Sequence, residues 1–167
     1  MTTIFQFRLN QVKNNKEKQL LERQFKKWEI DQHQPIRLTS QEIEQIIALK
    51  GLDSPEAGAK ILVEWADKLG AIFKATGLTS SQIRNFFGVI RSIQQQGFSK
   101  SQQKRQFILL LPKIEYAAAR ANKPGMNGFR DVLKASIEAV GQDADNFQRF
   151  VEFFEAILAY HKAYGGK

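Results

Sequence analysis

The sequence predicts an all-α protein: a compact bundle of five to six helices with an N-terminal extended arm and helix. Three observations carry this. From residue 13 onwards, apolar residues recur at the three- and four-residue spacing of amphipathic helices rather than alternating as in strands. Helix-start signals punctuate the chain, at Ser54-Pro55-Glu56, Thr79-Ser80-Ser81-Gln82 and Asp143. No Gly/Ser linker or low-complexity run divides it. The expected organisation is an N-terminal arm and helical extension over residues 1–36, followed by a helical-bundle domain over residues 37–167.

Phe5, Phe7 and Leu9 alternate with Gln6 and Arg8, a strand-like pattern with no evident sheet to join. The first ten residues therefore read either as an arm packed on the body or as a segment that docks on a neighbour. Leu20, Leu21, Phe25 and Trp28 form one stripe of a helix over 13–31, which Pro35 ends. A short helix over 40–50 closes at Gly51. Ser54 as N-cap and Pro55 as first helical residue open the next, with Ile61, Leu62, Trp65, Leu69, Ile72 and Phe73 inward and a stop at Gly77. Thr79 and Gln82 form a capping box for a helix to Gln96. A long helix over about 100–122 contains Pro112, which predicts a kink or break there. Lys123-Pro124-Gly125 reads as a turn, and helices over about 128–140 and 144–164 complete the chain. Leu38-Thr39-Ser40 and Leu78-Thr79-Ser80 match in register, but the likeness ends within the first turns, and Glu44 stands where the second has Arg84.

Composition excludes several functions. There is no cysteine among 167 residues, hence no disulfide scaffold, thiol nucleophile or sulfur-ligated zinc. No apolar run approaches the roughly 18 residues of a membrane span, and the N-terminus lacks the basic and apolar regions of a signal peptide, so a cytoplasmic protein without membrane contact is expected. His33 and His161 are isolated, and His161 lies on the Phe147–Phe150–Phe154–Leu158 stripe as a packing residue. Glu152 and Glu155 share one helix face as surface carboxylates rather than an acid–base pair. There is no P-loop, dinucleotide fingerprint or nucleophile elbow. No catalytic residue, cofactor or metal is predicted.

The net charge of +8 points instead to a polyanion, and it is localised. Residues 79–124 hold eight cations against Glu115 alone, whereas the rest of the chain is close to neutral. On the first helix of this stretch Arg84, Gly88 and Arg91 fall on one side, opposite Ile83, Phe86, Phe87, Ile90 and Ile93. Glycine in mid-helix costs about 1 kcal/mol relative to alanine, and here it either admits a phosphate backbone or permits helix packing. On the following helix Arg105, Lys113, Tyr116, Arg120 and Lys123 lie opposite the core stripe of Phe107, Leu110, Leu111, Ile114, Ala118 and Ala121. Tyr116 reads as a half-buried core residue or as a platform for a stacked base. A solvated face normally mixes signs, and this one does not.

Residues 79–167 resemble the small subunit of the type III-A (Csm) CRISPR–Cas effector complex. The resemblance rests on Gln82-Ile83-Arg84-Asn85-Phe86, on Leu111-Pro112-Lys113-Ile114-Glu115-Tyr116 with Ala117 to Arg120, and above all on the run from Phe150 to Lys162 followed by Tyr164-Gly165-Gly166-Lys167. It implies a non-catalytic helical protein of antiviral defence, present in several copies beside other subunits. These copies would line the path of guide RNA and target RNA through sequence-independent backbone contacts. By matching motif positions, Arg84, Lys113 and Arg120 are the implied RNA contacts; Arg91, Arg105 and Lys123 rest on face geometry alone. The Phe153/Tyr160/Tyr164 side of the last helix could meet a neighbouring copy or belong to the core, and Glu155 reads as a helix–helix or inter-subunit ion-pair partner. Two other functional classes are compatible with the residues: a helix-turn-helix DNA binder with 80–96 as recognition helix, and a purely structural helical interaction subunit.

Overall fold

A computed structural model describes residues 1–167. A short strand β1 (Thr3–Phe7) leads through a 3-10 turn to helix α1 (Asn15–Lys27). A second strand β2 (Ile36–Thr39) runs directly into α2 (Ser40–Ala48). Then follow α3 (Pro55–Ala75), α4 (Ser80–Gln96), α5 (Ser101–Ile108), α6 (Leu110–Ala121), α7 (Pro124–Val140) and α8 (Ala144–Ala163). The protein is all-α apart from the two strands.

The strand-like arm does find a partner within its own chain, which corrects the expectation that no sheet was there to join. β1 pairs antiparallel with β2, Phe5 opposite Leu38 and Phe7 opposite Ile36, with an irregularity between Thr3 and Phe5. All four of these side chains are buried. Backbone pairing satisfies polar groups that the buried apolar side chains would otherwise drag out of water. Phe5 is also the last ring of an edge-to-face chain that continues to Phe73, Phe129 and Phe154, with centroid separations of 5.7, 6.1 and 5.7 Å. One buried cluster extends from Phe5 to Ile157 and so includes residues on both sides of position 36.

Local signals explain most boundaries. Ser54 accepts from the Ala57 amide at 3.2 Å, and Asp143 from the Asn146 amide at 2.9 Å. The helix expected to close at Gly51 ends earlier, at Ala48, with Leu49 in the left-handed region. Lys123-Pro124-Gly125 is a helix start rather than a turn: Lys123 is the N-cap and Pro124 the first residue of α7, a place where the missing amide costs nothing. Pro112 splits its helix as expected, but the break falls at Leu109. The ring opposes the carbonyl four residues back, Ile108, and Pro112 itself sits in the first turn of α6, where no amide is needed.

The centre of the fold is the α3–α8 pair, which approaches at backbone distance. A Cβ on Gly70 would lie 2.6 Å from Tyr160 Cβ and 2.8 Å from the His161 nitrogen. Phe153 is fully buried, and Tyr164 donates its hydroxyl to Asp67 and to Gln24 Oε1 (3.2 Å). That side of α8 is therefore core, as one of the two sequence readings had it. Asp67 also accepts from Trp28 Nε1 at 3.1 Å, which ties α1 to α3 and α8. Burial and the adjacent Asp67 carboxylate push the Tyr164 hydroxyl above the ordinary tyrosine range.

Candidate nucleic-acid interface

Helix α4 begins at its capping box: the Gln82 amide donates to Thr79 Oγ1 at 3.2 Å, and the Thr79 amide to Gln82 Oε1 at 2.9 Å. Ile83, Phe86, Ile90 and Ile93 face the core. The same periodicity turns Arg84, Asn85 and Gly88 outward, and all three are exposed. In α5 and α6, burial of Gln103, Phe107, Leu110, Ile114 and Ala118 orients the opposite face. Gln103 Nε2 donates to Gln96 Oε1 at 2.7 Å and so ties α5 to the end of α4.

Between α4 and the α5–α6 elbow lies an open groove of about 530 Å³. Arg84, Asn85, Gly88 and Ser92 line one wall; Gln106, Leu109 and Lys113 line the other. No acidic residue lines it. A Cβ on Gly88 would meet nothing within 4 Å, so this glycine serves no packing contact inside the chain and instead keeps the groove wall bare.

All six sequence-predicted cations are exposed, and none forms an ion pair. The groove joins only two of them, Arg84 and Lys113. Arg91, two turns beyond Arg84 on the same side of α4, does not line the groove; its guanidinium lies 5.6 Å from the Phe87 ring centre and donates to Gln94 Oε1 at 3.1 Å. Arg105 projects from α5 beside Ile108 and Leu109 but does not line the groove. Arg120 is in the last turn of α6, and the Lys123 side chain passes over Gly77. Tyr116 is 66% exposed on α6, so the core reading of this residue fails.

Glu115 is the only acid of residues 79–124, and Lys134 of α7 neutralises it at 2.7 Å. That hydrogen bond holds its carboxyl below the usual carboxylate range. Asn85, Ser92 and Gln106 are groove residues that charge counting overlooked. Asn85, Gly88 and Ser92 follow the spacing of a helical stripe, which was the available signal.

His161 is fully buried, and its Nε2 lies 2.7 Å from the Leu78 carbonyl oxygen. That contact makes it a hydrogen-bonded packing residue. No group of three or more His, Cys, Asp or Glu side chains is placed to hold a metal ion, and no helix is long and apolar enough to cross a membrane. Glu155 is exposed and forms no ion pair within the chain.

Residues 56–167, from the first turn of α3 to the last residue, match the Csm2 Type III-A family. The chain belongs to this family. The Csm2 match takes in α3, which lies upstream of the segments that carried the resemblance in the sequence, and leaves β1, α1, β2 and α2 outside it. As a Csm2 protein the chain is a small subunit of the type III-A CRISPR effector complex and associates with the other subunits of that complex. No curated protein and no solved structure matches the chain.

Proposed function

We propose that this small subunit binds RNA by its sugar–phosphate backbone in the groove between α4 and α5–α6. It does so without catalysis and without reading sequence, as several copies in the cytoplasm that follow the guide RNA and its paired target RNA. The observation that carries this reading is the convergence of Arg84, bare Gly88 and Lys113 on a groove that no acid lines. Backbone recognition needs cations and close approach and tolerates any base, while guide–target pairing supplies the sequence. Asn85, Ser92 and Gln106 add neutral hydrogen-bonding groups suited to phosphate and ribose oxygens. Arg120, Lys123 and exposed Tyr116 extend the cationic surface along α6, and Arg91 and Arg105 flank it.

Simultaneous Arg84→Glu and Arg120→Glu tests this. Both residues are exposed and unpaired, so stability should stay within about 0.5 kcal/mol. Affinity for single-stranded RNA at low salt should fall by about tenfold or more. The slope of log affinity against log salt should become shallower by about 0.7 for each phosphate that is no longer neutralised. Unchanged RNA affinity, or a collapse of thermal stability, removes these two residues from the interface. Strong preference for one duplex DNA sequence would favour the helix-turn-helix class instead.

A further inference from the structure

The charge of the first 53 residues nearly cancels in sum, nine basic groups against seven acidic, but folding separates the two signs around α1. Five residues on one side fix the rotation of this helix. Leu21 and Phe25 are buried, and Glu17 pairs with Lys74 of α3. Gln24 Oε1 accepts from the Tyr164 hydroxyl at 3.2 Å, and Trp28 Nε1 donates to Asp67 at 3.1 Å. The opposite side carries Lys16, Arg23 and Lys27, seven and then four residues apart, with Gln19 and Lys26 beside them. All of these are exposed. None of the four cations has an ion-pair partner in the chain. The two acids of the helix lie elsewhere: Glu17 is turned inward to Lys74, and Glu22 lines a separate small groove with Lys18 and His33. From Lys16 to Lys27 the stripe runs about 16 Å, at a rise of about 1.5 Å per residue. It lies in the part of the chain outside the Csm2 match.

We propose that this outer face of α1 is a second nucleic-acid site, which takes the phosphate backbone of a duplex. The make-up of the face selects that occupant. Protein-binding patches centre on aromatic or aliphatic anchors and are depleted in lysine, whereas this stripe has three lysines, one arginine and no exposed apolar side chain among them. A lipid surface would have to receive the apolar face of the helix, and Leu21 and Phe25 hold that face in the core. Single strands are gripped through aromatic rings on which unpaired bases stack. Such a ring is exposed on α6 in Tyr116, and the outer face of α1 has none. A duplex keeps its bases stacked within itself and presents about one charge per 1.7 Å of axis, so a rigid row of cations suffices to hold it, without reading sequence. The site goes beyond the proposed function and does not rest on the α4–α6 groove binding RNA.

Fluorescence anisotropy on the full chain at low salt decides it, with a duplex of about 12 base pairs, longer than the stripe, and with one of its strands alone. Lys16→Gln, Arg23→Gln and Lys27→Gln together remove the charge and keep a similar helix propensity, so thermal unfolding should not move. Duplex affinity should fall by about tenfold or more, and its slope against log salt should become shallower by about 0.9 for each phosphate released. The strand alone should bind within about twofold of the parent. In a chain carrying Arg84→Glu and Lys113→Glu, which spoil the groove, duplex binding should persist, and adding the three α1 changes should remove it. Duplex affinity that the α1 changes leave untouched, duplex binding lost with the groove alone, or an equal loss for strand and duplex overturns the proposal. Displacement of the duplex by polyglutamate at equal charge overturns it too, and would assign the face to an acidic protein. Persistent duplex binding through α1, together with a strand affinity that the groove changes do not alter, would keep this inference and sink the groove reading.

Discussion

Helices α2 and α4 begin alike and are used differently. Leu38-Thr39-Ser40 and Leu78-Thr79-Ser80 lead into them in register. In each, the threonine amide donates to the side chain of the third helical residue, Glu42 at 2.8 Å and Gln82 at 2.9 Å. Ile43 and Ile83 then occupy equivalent buried positions. Beyond the first turn they diverge: Ile47, Ala48 and Glu44 of α2 correspond to Phe87, Gly88 and Arg84 of α4. α2 packs between α7 and α8, buries Ile43, Ile46 and Ile47, and pairs Glu44 with Lys50 at 2.9 Å. α4 leaves its outer side bare, with an unpaired arginine and a glycine facing a groove. A cap fixes where a helix starts, whereas the residues one and two turns later decide whether its outer face is sheltered or offered to a partner.

The largest expected effect tests the shared part. Ile43→Ala and Ile83→Ala remove equivalent, almost fully buried side chains, 2% and 1% exposed. Each should cost about 2–5 kcal/mol, from lost burial plus the cavity left behind. Denaturant unfolding measures both. Costs that differ by more than about 2 kcal/mol would show that one site relaxes and the other does not, and the likeness would then stop at the caps.

The sequence was most legible where structure is locally determined. Ser54-Pro55, Thr79 with Gln82, and Asp143 place three helix starts to the residue, because each cap acts within one turn. Pro124-Gly125 misled because the pair usually marks a turn. Here Gly125 is helical, and a Cβ on it would lie 2.8 Å from the Leu78 nitrogen of the neighbouring connection, a tertiary constraint with no local sign. The β1–β2 pairing was hidden for the same reason: four residues of β2 alternate too briefly to announce a strand, and the partner lies beyond an intervening helix. Each cationic face followed from helical geometry. Their meeting at one groove depended on where the α5–α6 break fell and how α6 packs, so Arg84 and Lys113 converge while Arg91 and Arg105 do not. Ile108 and Leu109 were masked inside the run Phe107 to Leu111, where apolar character alone does not say which side chains turn outward.

A smaller effect separates the two helix starts by acid. The Leu78 carbonyl, just before the α4 cap, accepts from His161, so Nε2 carries the proton of the neutral ring and Nδ1 is bare. Nδ1 is buried without a partner, and Lys74 and Lys162 act on the ring electrostatically. Burial above all, and then these two cations, lowers the His161 pKa despite the opposing hydrogen bond to Leu78. The unfolded chain therefore takes up a proton that the folded chain refuses. Stability is complete above about pH 6.5 and is lost as pH falls below it, by at most about 1.4 kcal/mol per pH unit, until the folded histidine titrates. Urea unfolding between pH 7.5 and 5 should show this slope, and His161→Gln should flatten it. Hydrogen exchange should quicken at the start of α4 and not at the start of α2. Equal quickening at both would mean that acid acts globally rather than through His161.

The smallest change makes α4 more like α2. Gly88 stands where α2 has Ala48, and Gly88→Ala adds one methyl to a place with nothing within 4 Å. Replacing a mid-helix glycine should stabilise the protein by about 0.5–1 kcal/mol, since the unfolded chain loses freedom and the helix gains a better former. The same methyl would stand on the groove wall beside Arg84, where a phosphate backbone would have to pass. RNA affinity should then fall by about threefold, less than 1 kcal/mol, while stability rises. Gly88→Gln, a longer residue of similar helix propensity, should lower affinity further at equal stability. The two measurements move in opposite directions only if the glycine is retained for close approach to a ligand. Should both variants bind RNA as the parent does, the backbone passes elsewhere, and Gly88 answers to a protein neighbour instead.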